Sequence, residues 1–161
     1  MTQTVVTPEL INRVERLQAD YVDCIDDERY DEWPGFFVED GSYTIIPRDN
    51  YRRNLPFGFI CCDNRRMLRD RITSMKSANI FEPHTYRHVL GRTAVAPAEE
   101  GGWKARTSYM LARIMHDGDQ ELFSTGVYDD WIVEDQGTLR FRRKRVITDS
   151  GRIDTLIVIP F

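Results

Sequence analysis

The sequence predicts an α+β domain, with helices packed on one face of a strongly curved, mainly antiparallel sheet. Three observations predict it. Apolar residues recur at three- and four-residue steps only in the first half of the chain. After Pro83, long segments rich in β-branched and aromatic residues follow one another. Glycine- and aspartate-bearing turn signals separate those segments.

The elements follow in order. Thr7-Pro8-Glu9 reads as a helix start: a hydroxyl N-cap, a proline where its missing N–H costs nothing, and an acid near the positive end of the dipole. Leu10, Val14, Leu17, Tyr21 and Ile25 then make one apolar stripe on a helix of about five turns. A short helix over Tyr30 to Phe37, bent by Pro34-Gly35, buries Trp33, Phe36 and Phe37. Asp40-Gly41 turns the chain into a strand from Ser42 to Pro47. Asp63 caps a third helix from Asn64 to about Ser77, with Met67, Leu68, Ile72 and Met75 inward and Arg65, Arg66, Arg69 and Arg71 solvated. Strands are predicted over His84–Val95, Trp103–His116, Glu121–Glu134, Thr138–Thr148 and Asp154–Ile159. In the third of these, Phe123, Val127, Trp131 and Val133 share one face, and Leu122, Tyr128 and Ile132 the other. Without repeats or linkers, residues 1–161 read as a single domain, of which 1–8 form a flexible N-terminal tail.

Composition narrows the function. The chain has 161 residues, 41% hydrophobic and 30% charged, with a formal charge of −4, which disfavours a nucleic-acid binder. No apolar run approaches the roughly 20 residues that cross a bilayer, and the N-terminus lacks the pattern of a signal peptide. Three cysteines, Cys24, Cys61 and Cys62, form neither a disulfide framework nor a zinc motif, so a reducing cytosol is expected.

Chemistry-bearing motifs are sparse. Neither glycine-rich nucleotide loop occurs, nor a G-x-S-x-G elbow. His84, His88 and His116 invite a non-haem iron reading. In a strand, however, four residues span about 13 Å, whereas two ligands of one metal stand only about 4 Å apart; packing or hydrogen-bonding roles are expected. Cys61-Cys62 reads as two small buried hydrophobes rather than a redox pair. Asp40, Tyr43, His84 and Tyr109 are candidates by type for an acid–base group in a conical cavity, although spacing brings no two of them together. The acidic stretch Asp20 to Asp40 and the basic run Arg140, Arg142, Arg143, Lys144, Arg145 are either solvated surface or complementary subunit-interface patches. Alternation places Arg143 and Arg145 on one face and Arg140, Arg142 and Lys144 on the other. Asp27 and Asp31 stand for the acidic patch, and the apolar end Pro160-Phe161 is a second interface candidate if exposed. Arg65, Arg66, Arg69 and Arg71 could likewise meet a partner's carboxylates or stay solvated.

Several stretches together resemble the small (β) subunit of Rieske-type aromatic-ring-hydroxylating dioxygenases. They are Asp31-Glu32-Trp33-Pro34-Gly35-Phe36-Phe37 with Asp40 and Tyr43; Met67 to Ile72; Tyr86-Arg87-His88-Val89-Leu90-Gly91; Phe123 to Asp129; and the close from Leu139 to Phe161. Ala78-Asn79-Ile80-Phe81-Glu82, Leu111 to His116 and Leu156 to Phe161 look most like the terephthalate, anthranilate and salicylate oxygenase branch.

The resemblance implies the cone-shaped α+β fold shared with nuclear transport factor 2 and ketosteroid isomerase. It implies a cytoplasmic, structural subunit assembling with catalytic large (alpha) subunits, three of each, to hydroxylate an aromatic acid in aromatic catabolism. Electrons would come through a reductase or ferredoxin. The Rieske [2Fe–2S] cluster and mononuclear Fe(II) belong to the large subunit; the cluster's C-x-H and C-x-x-H ligands are absent here, so no catalytic, cofactor or metal residue is assigned to this chain. A stand-alone isomerase or dehydratase using the cone cavity is the alternative, as is a binding module unrelated to oxygenases. The interface candidates are Arg143, Arg145, Asp27, Asp31, Pro160 and Phe161.

Overall fold

A computed structural model describes residues 5–78, 80–153 and 157–161. Helix α1 (Pro8–Asp26) begins where the sequence predicts, its Thr7 hydroxyl accepting from Leu10 N at 3.1 Å. Pro8 is thus helical rather than part of a tail, and residues 1–4 lie outside the described residues. All five residues of the predicted stripe are buried, and Gln18 and Asp26 are buried with them. A 3₁₀ turn (Tyr30–Phe36) leads into β1 (Phe37–Pro47), which starts five residues earlier than predicted. Two short elements escaped prediction: α2 (Arg48–Arg52) and β2 (Ile60–Cys62). Helix α3 (Arg65–Ser77) is capped by Asn64, which accepts from Met67 N at 3.0 Å, and not by Asp63. Leu68, Ile72 and Met75 face the core, whereas Met67 is exposed and its sulfur accepts from Asp63 N.

The remaining strands are β3 (His84–Pro97), β4 (Trp103–Met115), β5 (Gln120–Asp135) and β6 (Thr138–Thr148), each within two residues of its predicted bounds. Among the described residues they join β1 and β2 in one sheet of order β2-β1-β6-β5-β4-β3, antiparallel except for the parallel β1–β6 pair. The predicted strand over Asp154–Ile159 is not one: 154–156 lie outside the described residues, and 157–159 have no ladder. Residues 157–161 instead pack inward, and Ile157, Val158, Ile159 and Phe161 are buried.

Bulges curl the sheet. Register shifts fall at Phe37/Ser42 against β6, Leu90/Thr93 against β4, Leu111/Ala112 against β5 and Trp131/Ile132 against β6. Where β5 pairs with the end of β6, a Cβ on Gly126 would stand 2.0 Å from Ile147 O, so only glycine lets the strands approach there. Helix α1 lies across the concave face, where its Tyr21 ring meets Phe37, Tyr128 and Phe141 edge-on.

Candidate functional site

The inside of the cone is the first place a site could form, and it is filled. Trp33, Tyr43, Tyr109, Tyr128, Phe141 and Phe161 are fully or almost fully buried. The Tyr43 hydroxyl donates to Phe161 O at 2.5 Å and accepts from Phe161 N at 3.0 Å. The Phe161 ring sits 6.0 Å from Tyr86, 6.2 Å from Tyr109 and 6.0 Å from Phe123. Of the acid–base candidates, Tyr43 and Tyr109 are inside, Tyr109 bonded to Ser124 Oγ at 3.0 Å. Asp40 is on the surface, paired with Arg142 at 2.7 Å, and His84 lies at the rim. The rim carries a groove of about 320 Å³ lined by Tyr30, Phe81, His84, His116 and Ile159.

Two buried polar clusters were not foreseen. Lys144 Nζ, fully buried, donates to Asp130 Oδ2 at 3.0 Å and to Gln18 Oε1 at 3.1 Å, while Gln18 Nε2 donates to the same Asp130 oxygen at 2.6 Å. The ammonium also stands 3.7 Å from the Tyr128 ring centroid, 4.4 Å from Phe141 and 4.5 Å from Tyr21, a cation–π cage. Burial lowers the Lys144 pKa to about 8 despite the Asp130 carboxylate, and raises that of Asp130 despite Lys144. The second cluster joins the end of α1 to β3. Asp26 accepts from His88 N at 2.9 Å and bonds His88 Nδ1 at 2.6 Å, with Arg87 at 3.6 Å. His88 therefore has the hydrogen-bonding role expected of it. The signal for both clusters was polar residues at core positions of the helix: Gln18 follows the buried Leu17, and Asp26 follows the buried Ile25.

The cysteines and histidines do not fit an iron–sulfur cluster or a mononuclear iron. Cys24 Sγ is hydrogen-bonded to Arg29 O at 3.0 Å, and burial pushes its thiol up to about 11. Cys62 is buried, whereas Cys61 is exposed, which corrects the expectation that both are buried. His84 Nδ1 is 2.8 Å from Glu82 O, and His88 is committed to Asp26. Among the described residues no three His, Cys, Asp or Glu side chains converge on one point.

On the outer surface the basic run departs from simple alternation. Phe141 pairs with Ile132 and Arg143 with Trp131, so Arg142 is the extra residue of a bulge. Leu139 and Phe141 point inward before it, and Lys144 and Val146 after it. Arg140, Arg142, Arg143 and Arg145 thereby share the outer face, and Lys144 alone enters the core. Arg140 pairs with Asp135 and donates to Gly35 O, and Arg145 pairs with Asp129 at 2.5 Å. Arg143 has no ion-pair partner among the described residues; its guanidinium lies 5.9 Å from the Trp131 ring, and burial with the nearby Arg145 charge lowers its pKa. Asp27 faces Arg29 at 3.7 Å and Asp31 faces Lys76 at 2.5 Å. Pro160 and Phe161, predicted as an exposed patch, are buried within their own chain. Sequence reasoning also missed exposed apolar side chains: Phe57 (69% exposed), Leu122 (62%), and the cross-strand neighbours Val89 (61%) and Met110 (50%).

A bulged, curled sheet closed over an N-terminal helix defines the cone-shaped α+β class of nuclear transport factor 2 and ketosteroid isomerase, here with its interior occupied by aromatic side chains. Comparison with known proteins narrows the class. The profile described as "Ring hydroxylating beta subunit" matches residues 21–155. The anthranilate 1,2-dioxygenase small subunit of Burkholderia cepacia is 38% identical over 144 residues, 89% of each chain. The terephthalate 1,2-dioxygenase terminal oxygenase subunit beta 2 of a Comamonas species is 35% identical over 94% of this chain and 99% of its own length. A crystal structure of an aromatic-ring-hydroxylating dioxygenase beta subunit from Novosphingobium aromaticivorans superposes with a TM-score of 0.84 at 32% identity, covering 94% of this chain and 96% of the other. The chain belongs to the ring-hydroxylating beta subunit family, the small subunits of aromatic-ring-hydroxylating dioxygenases.

Proposed function

We propose that this chain is a structural small subunit of a cytoplasmic dioxygenase that hydroxylates an aromatic acid. It holds three catalytic large subunits in a ring with three copies of itself. The family match along most of the chain carries this reading, and the two named relatives come from enzymes of aromatic acids, anthranilate and terephthalate. The donor set of this chain fits neither iron centre, so the reading places the Rieske cluster and the mononuclear iron in the large subunit, fed by a reductase or ferredoxin. The stand-alone isomerase reading needs an open cone with an acid–base group inside, and Phe161 and the tyrosines occupy that space.

The bulge-assembled arginine face is the contact we assign to the partner. Arg143 is its principal residue, because among the described residues it makes no ion pair of its own, although the charges of Asp129 and Glu100 reach it. Arg145, Asp27 and Asp31 already have intrachain partners and contribute less. The test is co-expression with the large subunit and mass measurement by light scattering. Wild type should give a three-plus-three complex. Arg143→Glu should lower its yield more than Arg145→Glu. A small chain that never co-purifies with a large subunit refutes the function, whereas unchanged hexamer mass in the Arg143 variant refutes only the assigned contact.

A further inference from the structure

Helix α1 ends in carboxylates. Asp23, Asp26, Asp27 and Glu28 crowd its C-terminal end, and no basic residue falls in its last turn. Their charge adds to the negative pole of the helix dipole. Arg29 answers Asp27 and Glu32, and Arg87 answers the buried Asp26, but Glu28 makes no ion pair among the described residues. Its backbone is equally unusual. Arg29 N donates to Cys24 O at 2.9 Å and Glu28 N to Ile25 O at 3.0 Å, the paired bonds of a Schellman motif. Glu28 holds the left-handed position of that motif (φ 59°), which glycine fills at least cost. A glutamate there is disfavoured twice, by its backbone and by the dipole. Its side chain lines the open rim groove of about 320 Å³, together with Tyr30, Phe81, His84, Ile114 and His116.

We propose that the rim groove is a socket for an arginine side chain of the large subunit, with Glu28 as the carboxylate that receives the guanidinium. The partner's identity rests on the function proposed above; the socket's chemistry does not. Charge complementarity asks for a cation. Burial and the nearby charges of Glu28 and Asp26 push the Tyr30 hydroxyl up to about 12, so negative potential reaches the groove wall. The walls ask for a flat cation with many donors. Tyr30, Phe81 and His84 offer ring faces, and Glu28 offers only acceptors. His84 Nδ1 is engaged with Glu82 O at 2.8 Å, which leaves Nε2 of the neutral ring as a further acceptor. A guanidinium is planar, stacks on aromatic rings and carries five donors and no acceptor, whereas an ammonium is a compact point charge. The volume lies at the small end of ligand sites, and suits one long side chain. Arginine anchors in such pockets are common hot spots of protein interfaces.

The experiment titrates the full chain with N-acetyl-L-argininamide at pH 8, above the ordinary imidazole range, and follows backbone amide resonances. Those of Glu28, Tyr30 and His84 should shift in a saturable way. N-acetyl-L-citrullinamide, the neutral isostere, should bind about tenfold more weakly, as should the first probe to Glu28→Gln. No saturable shift, equal shifts with the neutral probe, or undiminished binding to Glu28→Gln would overturn the proposal. Glu28→Gly should lose the same binding yet raise the melting temperature by about 2–4 °C, because glycine relaxes the left-handed residue. A fall in melting temperature would mean that Glu28 serves the fold, and would overturn it too. With the large subunit co-expressed, the Glu28→Gly complex should dissociate on dilution at about tenfold higher concentration than wild type. A complex indifferent to Glu28→Gly would overturn the assigned source of the arginine. A chain that binds the probe yet never co-purifies with a large subunit refutes the function proposed above, and the arginine's source with it.

Discussion

Replacing Lys144 by methionine tests how the fold tolerates an ion pair in its centre. Lys144 and Asp130 are essentially unexposed, and the pair shares one hydrogen-bonded triangle with Gln18. Removing the ammonium strands a buried carboxylate, a loss of about 3–5 kcal/mol against a total stability of roughly 5–15 kcal/mol for a domain. Methionine keeps much of the lysine stem's packing against Tyr21, Tyr128 and Phe141, so the change isolates the charge. Asp130→Asn should cost a similar amount by stranding the ammonium. The double variant should cost well under the sum, with a coupling of about 2 kcal/mol or more.

pH gives a second reading of the same pair. An unfolded lysine titrates near 10.5 and the buried one near 8, so below pH 8 both states hold the proton and the folded chain bears the full cost of burying the charge. Between pH 8 and 10.5 the unfolded chain binds the proton and the folded one does not; wild type should therefore gain stability relative to Lys144→Met as pH rises through that window, by up to about 3 kcal/mol. Asp130 acts in the opposite sense: its raised folded pKa favours the folded state at low pH, and that contribution fades as pH climbs through the raised value. Urea unfolding followed by circular dichroism at a series of pH values, on wild type and the three variants, measures all of this. Additive single costs, or a wild-type advantage that falls between pH 8 and 10.5, would refute the reasoning.

Two further outcomes are expected. Gly126→Ala should destabilise the domain by more than about 2 kcal/mol in the same urea assay, because the new methyl would meet the Ile147 carbonyl at 2.0 Å, in backbone that cannot step aside without opening the β5–β6 ladder. In the native protein a thiol reagent near neutral pH should modify Cys61 alone. Cys24 and Cys62 are buried with raised thiol pKa values and should react only on unfolding, as mass spectrometry of the labelled chain would show.

The sequence made α1 and the four long strands legible because their signals are local: a capped stripe at helical spacing, and turn residues between β-branched runs. What it concealed depends on pairing partners. Arg142 and Phe123 look like ordinary members of an alternating strand, yet the neighbouring strand skips each of them. The bulge at Phe123 turns its ring toward Tyr86 and Phe161 and leaves Leu122 outside; the bulge at Arg142 gathers four arginines on one face. The apolar close at Ile157–Phe161 carried a strand's composition, but the sheet offers it no edge inside the cone, so it packs as filling. The interface candidates suffered similarly. Charge alone marked Arg145, Asp27 and Asp31, and only the fold brings up the residues that already answer those charges.

The parallel seam between β1 and β6 has a kinetic consequence. It aligns Phe37–Pro47 with Phe141–Thr148 across about a hundred intervening residues, so the first strand waits for the last before its edge is satisfied. Contacts this distant in sequence slow the search for the native arrangement. During synthesis the β6 side of the first strand must stay unpaired until residues 141–148 have left the ribosome, an interval in which a chaperone can prevent sticking between nascent chains.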